Sequence, residues 1–377
     1  MIRICHVTSV HPAKDVRIFH KECRSLAKEY EVYLIAPNVK DEIAEGVHIL
    51  GVSLPKGRLK RMLNLDAVYK KALEVDAAVY HFHDPELMRI GLRLKRKGKK
   101  VVFDSHEDVP QQLLTKEYLP SWSKKPLSAI YAAIERRCLK QYDALISVTP
   151  SIVERLKRIN PKTVMVTNYP SALEVVDNQQ ISNGGGYICF AGGVSQQYMH
   201  EYVIESLKHV NARYLLAGPA YPSYLEKLKT MEMWSKVDYL GIVSHDKVGE
   251  IYRKSAVGLV LLDYTPNVGY HRGTLGVLKM FEYMMAGIPV VATDFDLWKE
   301  IVEGSGCGKC VDPHNVESIA DAVNFYLNNP DKAREAGEKG RKAVKEKYNW
   351  GTQEIILLEL YKQLTSQRLW DICVFWS

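Results

Sequence analysis

The stretch from Leu278 to Asp294 reads LKMFEYMMAGIPVVATD and indicates the fold class. Its apolar residues first recur at the spacing of one helical face, and Gly287 then predicts the end of that helix. Ile288 to Ala292 is a short apolar run of the length expected for a buried strand. The stretch therefore predicts a helix, a tight turn and a central strand, as in a parallel α/β sheet.

Glu282 lies at the head of this predicted helix, held by rigid elements on both sides. A carboxylate in such a position can accept two hydrogen bonds from a vicinal diol such as a ribose, as acidic residues do in dinucleotide sites. From the residues alone, a carboxylate that only stabilises the helix dipole is an equally good interpretation.

The same alternation of apolar strands and amphipathic helices runs through the whole chain and predicts two parallel sheets covered on both faces. The predicted strands are Ile2–Val7, Val32–Ala36, Ala77–Phe82, Val101–Asp104, Ala144–Val148 and Thr163–Val166, then Tyr187–Ala191, Tyr214–Ala217, Val237–Leu240, Val257–Leu262, Val290–Thr293 and Gly308–Val311. Asn168–Gly186 is polar and glycine-rich and is the predicted linker. We expect two Rossmann-like domains, 1–170 and 171–349.

The composition is that of a globular protein of two domains. The chain has 377 residues, of which 46% are hydrophobic and 25% charged, and its length exceeds one ordinary core. It contains no apolar run of about eighteen residues, and no signal-peptide pattern precedes the first predicted strand. We therefore expect a cytoplasmic protein. The apolar and aromatic end, 366–377, has no predicted role.

Charge is distributed unevenly along the chain. Residues 1–170 contain 30 Lys and Arg against 19 Asp and Glu, whereas the remainder contains 21 against 25. The basic residues concentrate at Lys56–Arg61 and Arg93–Lys100. These runs are either solvated helix faces or a surface that meets anionic lipid or a phosphate-bearing acceptor. Nucleic acid is not an expected partner, because no aromatic residues interleave the basic runs.

Polar residues follow two predicted strands of the first half. His83 and Asp84 follow one strand, and Asp104, His106 and Glu107 follow the next. Ligands of parallel sheets bind outside the C-terminal strand ends, so both sets would face one site. A hydrogen-bonded structural network and a catalytic cluster both remain open from the residues alone.

Several separated segments resemble retaining glycosyltransferases of the GT-B fold, glycosyltransferase family four (glycosyl transferases group 1) in particular. They are LKMFEYMMAGIPVVATD itself, HVTSVHPAKDVRIFHKECRSLAKEYEVYLIAP (His6–Pro37), VYHFHDPEL (Val79–Leu87) and VVFDSHEDVP (Val101–Pro110). The resemblance covers most of residues 1–350. It implies an α/β GT-B fold, in which two Rossmann-like domains face each other across a cleft and a C-terminal helix, about 350–366, crosses back to the first domain.

The resemblance also assigns roles to individual residues. His106 matches the histidine of the family's catalytic region, with Asp104 and Glu107 beside it, and His83, Asp84 and Arg17 match acceptor-side or sugar-side groups. The implied donor-binding residues are Glu282, Lys279, Arg272, Gly193, Gly276, Val277, Leu278, Ile242 and Val243. Of these, the cations Arg272 and Lys279 could neutralise a diphosphate leaving group. No metal-binding residue is implied.

Three positions depart from the family pattern. Gly193 and Tyr198 stand where the family usually has an Arg and a Lys that grip the diphosphate, and Thr274 stands where it usually has a second Glu that touches the donor sugar. Catalysis and sugar identity are therefore less securely implied than the fold.

The resulting expectation is transfer of a sugar from a nucleotide-diphosphate donor, with retention of configuration and without a metal or redox cofactor. The acceptor would be a glycan, a lipid-linked molecule or a small molecule, reached in the cytoplasm or peripherally at the inner face of an anionic membrane. Two alternatives stay open: a nucleotide-sugar 2-epimerase on the same fold, and a catalytically lapsed relative that binds a nucleotide or glycan.

Overall fold

The structure is a computed structural model that describes residues 1–116, 119–171 and 186–373, with the backbone alone at 58, 59, 245 and 367–373. The chain divides into two compact units. The first unit is Met1–Asn168 together with the chain from Trp350 onward, and the second is Tyr169–Asn349. Residues 172–185, which form most of the predicted linker, lie outside the described residues.

The first unit alternates strands with helices over most of its length. Its strands are β1 (Arg3–Val7), β2 (Glu31–Pro37), β3 (Glu42–Ala44), β4 (Val47–Val52), β5 (Val79–Phe82), β6 (Lys100–Ser105), β7 (Ala144–Ser147) and β8 (Thr163–Met165). Its helices are a π-helix (Ile18–Cys23), α1 (Arg24–Leu26), α2 (Arg58–Leu63), α3 (Asp66–Val75), α4 (Met88–Lys95), α5 (Val109–Thr115), α6 (Ser121–Leu139) and α7 (Pro150–Lys157), with a 3₁₀ turn at Pro85–Leu87.

The described strands of this unit form one sheet in the order β3-β4-β2-β1-β5-β6-β7-β8. Every pairing is parallel except that of β3 with β4. The strand order reverses between β1 and β5, and in open parallel sheets the crevice at such a reversal is where ligands bind. The first unit therefore offers a site at the C-terminal ends of β1, β5 and β6.

The antiparallel pair β3–β4 was not among the predicted strands. Its turn is made by Glu45 and Gly46, which both have positive φ, 50° and 81°. Two such residues in succession are typical of a tight hairpin turn, but a glutamate is not the residue that usually signals one. Short β3 lies at the sheet edge, and its residues are partly or fully exposed, so it also lacks a strong apolar pattern.

Helix α15 (Trp350–Cys373) belongs to the first unit, as the resemblance implies. Leu357, Leu360 and Tyr361 pack into the core on one face of the sheet. The Trp350 indole donates a hydrogen bond to Ser25 Oγ at 2.9 Å. This helix is seven residues longer than the predicted one.

The second unit is built in the same way. Its strands are β9 (Tyr187–Ala191), β10 (Arg213–Ala217), β11 (Val237–Gly241), β12 (Val257–Val260), β13 (Val290–Thr293) and β14 (Gly308–Val311). Its helices are α8 (His200–Ser206), α9 (Pro222–Lys229), α10 (His245–Lys254), α11 (Lys279–Ala286), α12 (Asp296–Val302), α13 (Val316–Asn328) and α14 (Pro330–Glu346), with 3₁₀ turns at Gln196–Tyr198, Glu232–Lys236, Pro266–Val268 and Tyr270–Arg272.

The described strands of the second unit are all parallel, in the order β11-β10-β9-β12-β13-β14. This is the doubly wound order of a dinucleotide-binding sheet, with its reversal between β9 and β12. The stretch around Glu282 forms α11, the turn at Gly287 (φ 73°) and β13, as predicted. Each unit is thus an α/β domain with a parallel core. In the described part of the chain, no helix is both long and apolar enough to cross a membrane.

Candidate active site

The C-terminal ends of β1, β5 and β6 bring a cluster of histidines together in the first unit. His6 of β1 is the register partner of His81 of β5. His83 follows two residues after His81, so alternation along an extended chain places both rings on the same face. These three side chains are fully buried, and His106, just after β6, is partly exposed.

Asp104 and Arg17 form the charged centre of this cluster. Arg17 Nε donates to Asp104 Oδ2 at 2.7 Å, and both side chains are buried. Burial alone would raise the pKa of Asp104, but the Arg17 guanidinium, together with His106 and His83, holds that pKa well below its usual value. Asp104 is therefore ionised, and because it is buried it can orient the groups around it.

A chain of imidazoles leads from the core to the surface. His6 Nδ1 lies 3.0 Å from His83 Nε2, and His83 Nδ1 lies 3.3 Å from His106 Nε2. His106 Nε2 is also 3.1 Å from Asp104 Oδ2. A proton on His106 Nε2 can therefore donate to the carboxylate, which would orient the ring. Burial lowers the pKa of His83 to about 4, so that ring is neutral.

His11 stands beside His106 at the outer edge of the cluster. The two ring centroids are 5.2 Å apart. His11 Nδ1 lies 3.6 Å from Asp15 and its Nε2 lies 3.5 Å from Asp84. The Asp15 carboxylate, with smaller contributions from Asp84 and Asp104, raises the pKa of His11 against the opposing effect of burial. The rim of the cluster therefore carries an imidazole whose protonated form is favoured by the neighbouring carboxylates.

The predicted first-unit residues thus divide into two kinds. Asp104, Arg17 and His83 are buried and hydrogen-bonded within the cluster, and Asp84 is buried and accepts hydrogen bonds from Thr8 and Ser9. His106 and Glu107 reach the surface, and Glu107 accepts a hydrogen bond from Gln112. Five further residues, which were not predicted, join the cluster or its rim: His6, His11, Glu22, His81 and Tyr361. The alternating His81 and His83 were the available signal.

The second unit has a cavity of about 250 Å³ at the C-terminal ends of its strands. It is lined by Ala191, Gly192, Ala217, Gly218, Pro219, Ile242, Val243, Val248, Lys279 and Glu282. These residues follow β9, β10 and β11 or belong to α10 and α11. Four of the predicted donor-binding residues, namely Glu282, Lys279, Ile242 and Val243, are therefore brought together around one cavity, on the strand ends where nucleotides bind in doubly wound sheets.

The glycines of this cavity are required by its geometry. A Cβ atom on Gly218, whose φ is 132°, would lie 1.8 Å from the carbonyl oxygen of Gly192. A Cβ atom on Gly192 would in turn lie 2.9 Å from Cε of Lys279. Because neither position has a side chain, a ligand can come close to the backbone there, although the peptide N–H groups of Gly192 and Gly218 already donate to the carbonyl oxygens of Ala217 and Gly241.

Glu282 is anchored on two sides. Tyr252 donates a hydrogen bond from its hydroxyl to Glu282 Oε2 at 2.6 Å, and Lys279 Nζ lies 3.2 Å from each carboxylate oxygen. A carboxylate has about four acceptor sites, so these three contacts leave about one for a ligand hydroxyl. Burial and the neighbouring Glu282 raise the pKa of Tyr252, which keeps its hydroxyl protonated as a donor.

The remaining predicted donor residues lie outside the cavity lining. Gly193 continues the loop after Gly192, and Gly276 to Leu278 lead into α11. Their loop is fixed by Trp298, whose indole donates to the Thr274 carbonyl at 2.7 Å. Arg272 ends the exposed turn that precedes this loop. These positions stay predictions, because the cavity does not touch them.

Two family comparisons match successive parts of the chain. Residues 16–168 match Glycosyltransferase Family 4, and residues 174–343 match glycosyl transferases group 1. The chain is a glycosyltransferase of the family 4 and group 1 type.

Two curated proteins are similar in sequence to parts of this glycosyltransferase. An uncharacterised glycosyltransferase of Methanocaldococcus jannaschii is 27% identical over 201 residues, which is 52% of this chain and 48% of that protein. Alpha-maltose-1-phosphate synthase of Mycolicibacterium smegmatis is 32% identical over 98 residues, 24% of this chain and 25% of that protein. The aligned segments thus span about half and a quarter of these relatives.

Solved structures of low sequence identity share the fold of this glycosyltransferase over nearly its whole length. Sucrose-phosphate synthase of Thermosynechococcus elongatus has a TM-score of 0.77 at 16% identity and covers 97% of this chain and 100% of its own. Anabaena HepE, in complex with UDP and glucose, has a TM-score of 0.70 at 12% identity, with 96% and 100% covered. WaaG, a glycosyltransferase of lipopolysaccharide biosynthesis, has a TM-score of 0.67 at 14% identity, with 94% and 98% covered. The predicted GT-B fold is confirmed.

Proposed function

We propose that this glycosyltransferase takes a sugar from a nucleoside diphosphate donor held in the second unit, and transfers it with retention of configuration. The observation that carries the proposal is the cavity at the ends of β9 to β11, in which bare glycine backbone, a lysine and an anchored carboxylate meet. A cation suits phosphate, glycine backbone lets a ligand come close, and a fixed carboxylate suits the ribose diol. The Anabaena relative HepE was solved with UDP and with UDP-glucose, which supports a uridine donor.

The chemistry proposed for the transfer relies on fixed dipoles and charges. Lys279 places a positive charge beside the cavity, which would stabilise the diphosphate as it departs. We propose a front-face reaction, in which the departing phosphate oxygen takes the acceptor proton and His106 stabilises positive charge that develops on the sugar. In this scheme no metal or redox cofactor takes part in the transfer.

The acceptor is proposed to reach the enzyme at a membrane surface. This proposal rests on helix α6. The helix exposes the apolar side chains of Trp122 (81% accessible), Ile130 (58%) and Ile134 (41%). Lys124, Lys125, Arg136 and Arg137 lie on the same helix, whose single carboxylate, Glu135, is buried against Arg155. An apolar stripe flanked by cations is typical of helices that lie in an anionic lipid interface.

The position of α6 agrees with this role. Ser128 of α6 donates a hydrogen bond to the Pro110 carbonyl at 2.8 Å, and Pro110 lies in the first turn of α5, five residues after β6 ends. This part of α6 is therefore near the C-terminal end of β6, which His106 follows. A lipid-linked acceptor bound at α6 would have a short path to the histidine cluster.

The basic run Arg93–Lys100, predicted as a membrane contact, is less suited to it. Lys95 and Lys100 both pair with Asp143, Lys99 pairs with Asp76, and Arg93 pairs with Asp66. The run leads into the N-terminal end of β6, whereas the histidine cluster lies at the C-terminal ends of the strands. Aspartates that already neutralise these cations weaken their attraction for lipid headgroups.

The test of the proposed function is an assay of nucleoside diphosphate release from a panel of nucleotide sugars, with and without glycan, lipid-linked and small-molecule acceptors. We expect release that depends on an acceptor, with a product whose anomeric configuration, read by NMR, matches the donor. An inverted product would contradict retention. Interconversion of the sugar without release would instead identify an epimerase, and binding without turnover would identify a lapsed relative.

A further inference from the structure

The buried carboxylate of Glu22 is surrounded by three imidazoles at equal distances. Glu22 Oε2 lies 3.9 Å from His6 Nδ1, 4.0 Å from His81 Nδ1 and 3.9 Å from His83 Nε2. All four side chains are fully buried. A carboxylate that accepts a hydrogen bond approaches one donor to within about 3 Å. Glu22 instead faces three nitrogens without closing on any of them.

Within the described residues, neither oxygen of Glu22 has a hydrogen-bond partner, although Arg17 Nε lies 3.1 Å from Oε1. An unsatisfied buried carboxylate is costly unless something compensates it. The segment that holds Glu22 inside is the π-helix Ile18–Cys23. Such helices are rare overall but frequent at functional sites. The backbone is therefore built to aim this carboxylate at the three histidines.

We propose that His6, His81, His83 and Glu22 bind one divalent cation of the zinc type in the core of the first unit. The four donor atoms lie within 4.8 Å of one another. Tetrahedral zinc with bonds of about 2.1 Å separates its ligands by about 3.4 Å. The gaps of 3.0 Å between His6 and His83 and of about 4 Å to Glu22 bracket that value. The remaining donor atoms lie within 4.8 Å of one another, so shifts of up to about 1 Å would close the site.

Three imidazoles and one carboxylate are a donor set that zinc accepts and that calcium and magnesium do not favour. All four coordination positions come from the protein, so the site is closed. A closed zinc site stabilises structure and does not activate water. The ion therefore takes no step in sugar transfer, and the inference stands or falls independently of the proposed function.

The groups around the four ligands also fit. His83 would bind through Nε2, and its Nδ1 lies 3.7 Å from Asp104 Oδ2, the arrangement in which a carboxylate orients a metal-bound histidine. The Tyr361 hydroxyl is 2.8 Å from His81 Nδ1 and 3.5 Å from His6 Nε2. On binding, that hydroxyl would leave His81 Nδ1 to the ion and accept from His6 Nε2–H instead.

The first experiment measures metal in the full chain, without any variant. The protein is produced in zinc-supplemented medium, purified without chelator or a metal-affinity column, and analysed by inductively coupled plasma mass spectrometry. We expect about one zinc ion per chain, and after refolding in Co²⁺ the intense visible bands of a four-coordinate cobalt site. A folded chain that holds no stoichiometric ion by either route overturns the inference and leaves a hydrogen-bonded histidine core.

The second experiment tests which residues hold the ion. Glu22→Gln and His6→Gln should each lower the metal content at least tenfold, since outer and inner ligand changes cost that much or more in affinity. His200→Gln is the matched control, because His200 is an equally buried histidine in the second unit, and its metal content should stay at one ion. Loaded Glu22→Gln and His6→Gln proteins would place the ion elsewhere and contradict the site. If those two variants do not fold, the wild-type cobalt spectrum alone decides.

Discussion

Lys279 Nζ lies 3.2 Å from both carboxylate oxygens of Glu282, one helical turn further along α11. The cavity of the second unit therefore presents a cation and a carboxylate as one preformed unit, oriented further by the Tyr252 hydroxyl. A nucleoside diphosphate has the complementary pair of groups, an anionic diphosphate and a neutral diol. Because the two side chains fix each other before the ligand arrives, little side-chain conformational entropy is lost when the ligand binds.

Glu282→Gln should weaken binding of the nucleoside diphosphate by roughly 1–3 kcal/mol, the value of a hydrogen bond to a charged group. The amide keeps the shape of the side chain but loses the charge that holds Lys279 and the ribose. Isothermal titration calorimetry measures the change. Glu226→Gln is the control, since Glu226 forms an equivalent pair with Lys229, three residues apart on α9, outside the cavity. Equal affinities in the wild type and Glu282→Gln would rule out the ribose contact.

Gly218→Ala should destabilise the second unit by roughly 2–4 kcal/mol, because the new Cβ would collide with the Gly192 carbonyl oxygen and φ is positive there. Nucleotide binding should fall with it, since both glycines line the cavity. Thermal unfolding and calorimetry report the two losses. Gly193→Ala is the control from the adjacent loop, where a Cβ meets nothing within 4 Å. If the two variants unfold alike, the close approach of the two loops is not essential.

His106→Ala should lower kcat far more than it weakens donor binding. His106 is in the first unit, whereas the donor cavity belongs to the second, so its contribution should be made chiefly in the transition state. Steady-state kinetics and donor titration separate the two effects. His48→Ala, which removes a ring that stacks on Tyr33 in the same unit, should change neither. Matching losses in kcat and donor affinity would mean that His106 only positions the donor.

Replacing Trp122 and Ile130 together by serine should abolish sedimentation with anionic vesicles, because it removes the exposed apolar stripe of α6. A second variant neutralises Lys95, Arg96, Lys97, Lys99 and Lys100 together. It should keep most of the sedimentation with vesicles, because Lys95, Lys99 and Lys100 are already paired with aspartates. High salt should release the wild type. If the second variant lost vesicle binding and the first kept it, Arg93–Lys100 would be the membrane contact instead of α6. A wild type that ignores vesicles even in dilute buffer would favour an acceptor that is not at a membrane.

The sequence predicts the fold well where apolar periodicity is strong and predicts the site less completely. The helix and strand around Glu282 are read directly from spacing, and the residues after β5 and β6 are where parallel sheets bind ligands. Glu22 could not be found in this way, because only a π-helix turns it inward and that helix has no sequence signature. Gly218 was missed for another reason. A side chain at this position would collide with the carbonyl oxygen of Gly192, and such a contact between two loops cannot be read from local sequence.

The stability of the second unit should depend on pH through His200. This ring is fully buried, Nδ1 lies 3.0 Å from the Tyr214 hydroxyl, and Nε2 has no partner within the described residues. Burial lowers the pKa of His200 to about 3, whereas the unfolded chain should titrate near 6.5. Above about pH 6.5 both states are neutral at this position and nothing is lost.

As the pH falls below that value, the unfolded chain takes up a proton that the folded chain refuses until about pH 3. The free energy of unfolding should therefore fall by about 1.4 kcal/mol for each pH unit in this window. His200→Gln should remove this contribution to the dependence of the unfolding free energy on pH. Urea unfolding between pH 5 and 7.5 measures that dependence. His209→Gln, which replaces an exposed histidine of the same unit, controls for the substitution itself. An unchanged slope in His200→Gln would show that His200 accepts its proton in the folded state, and that the ring is less enclosed than its surroundings indicate.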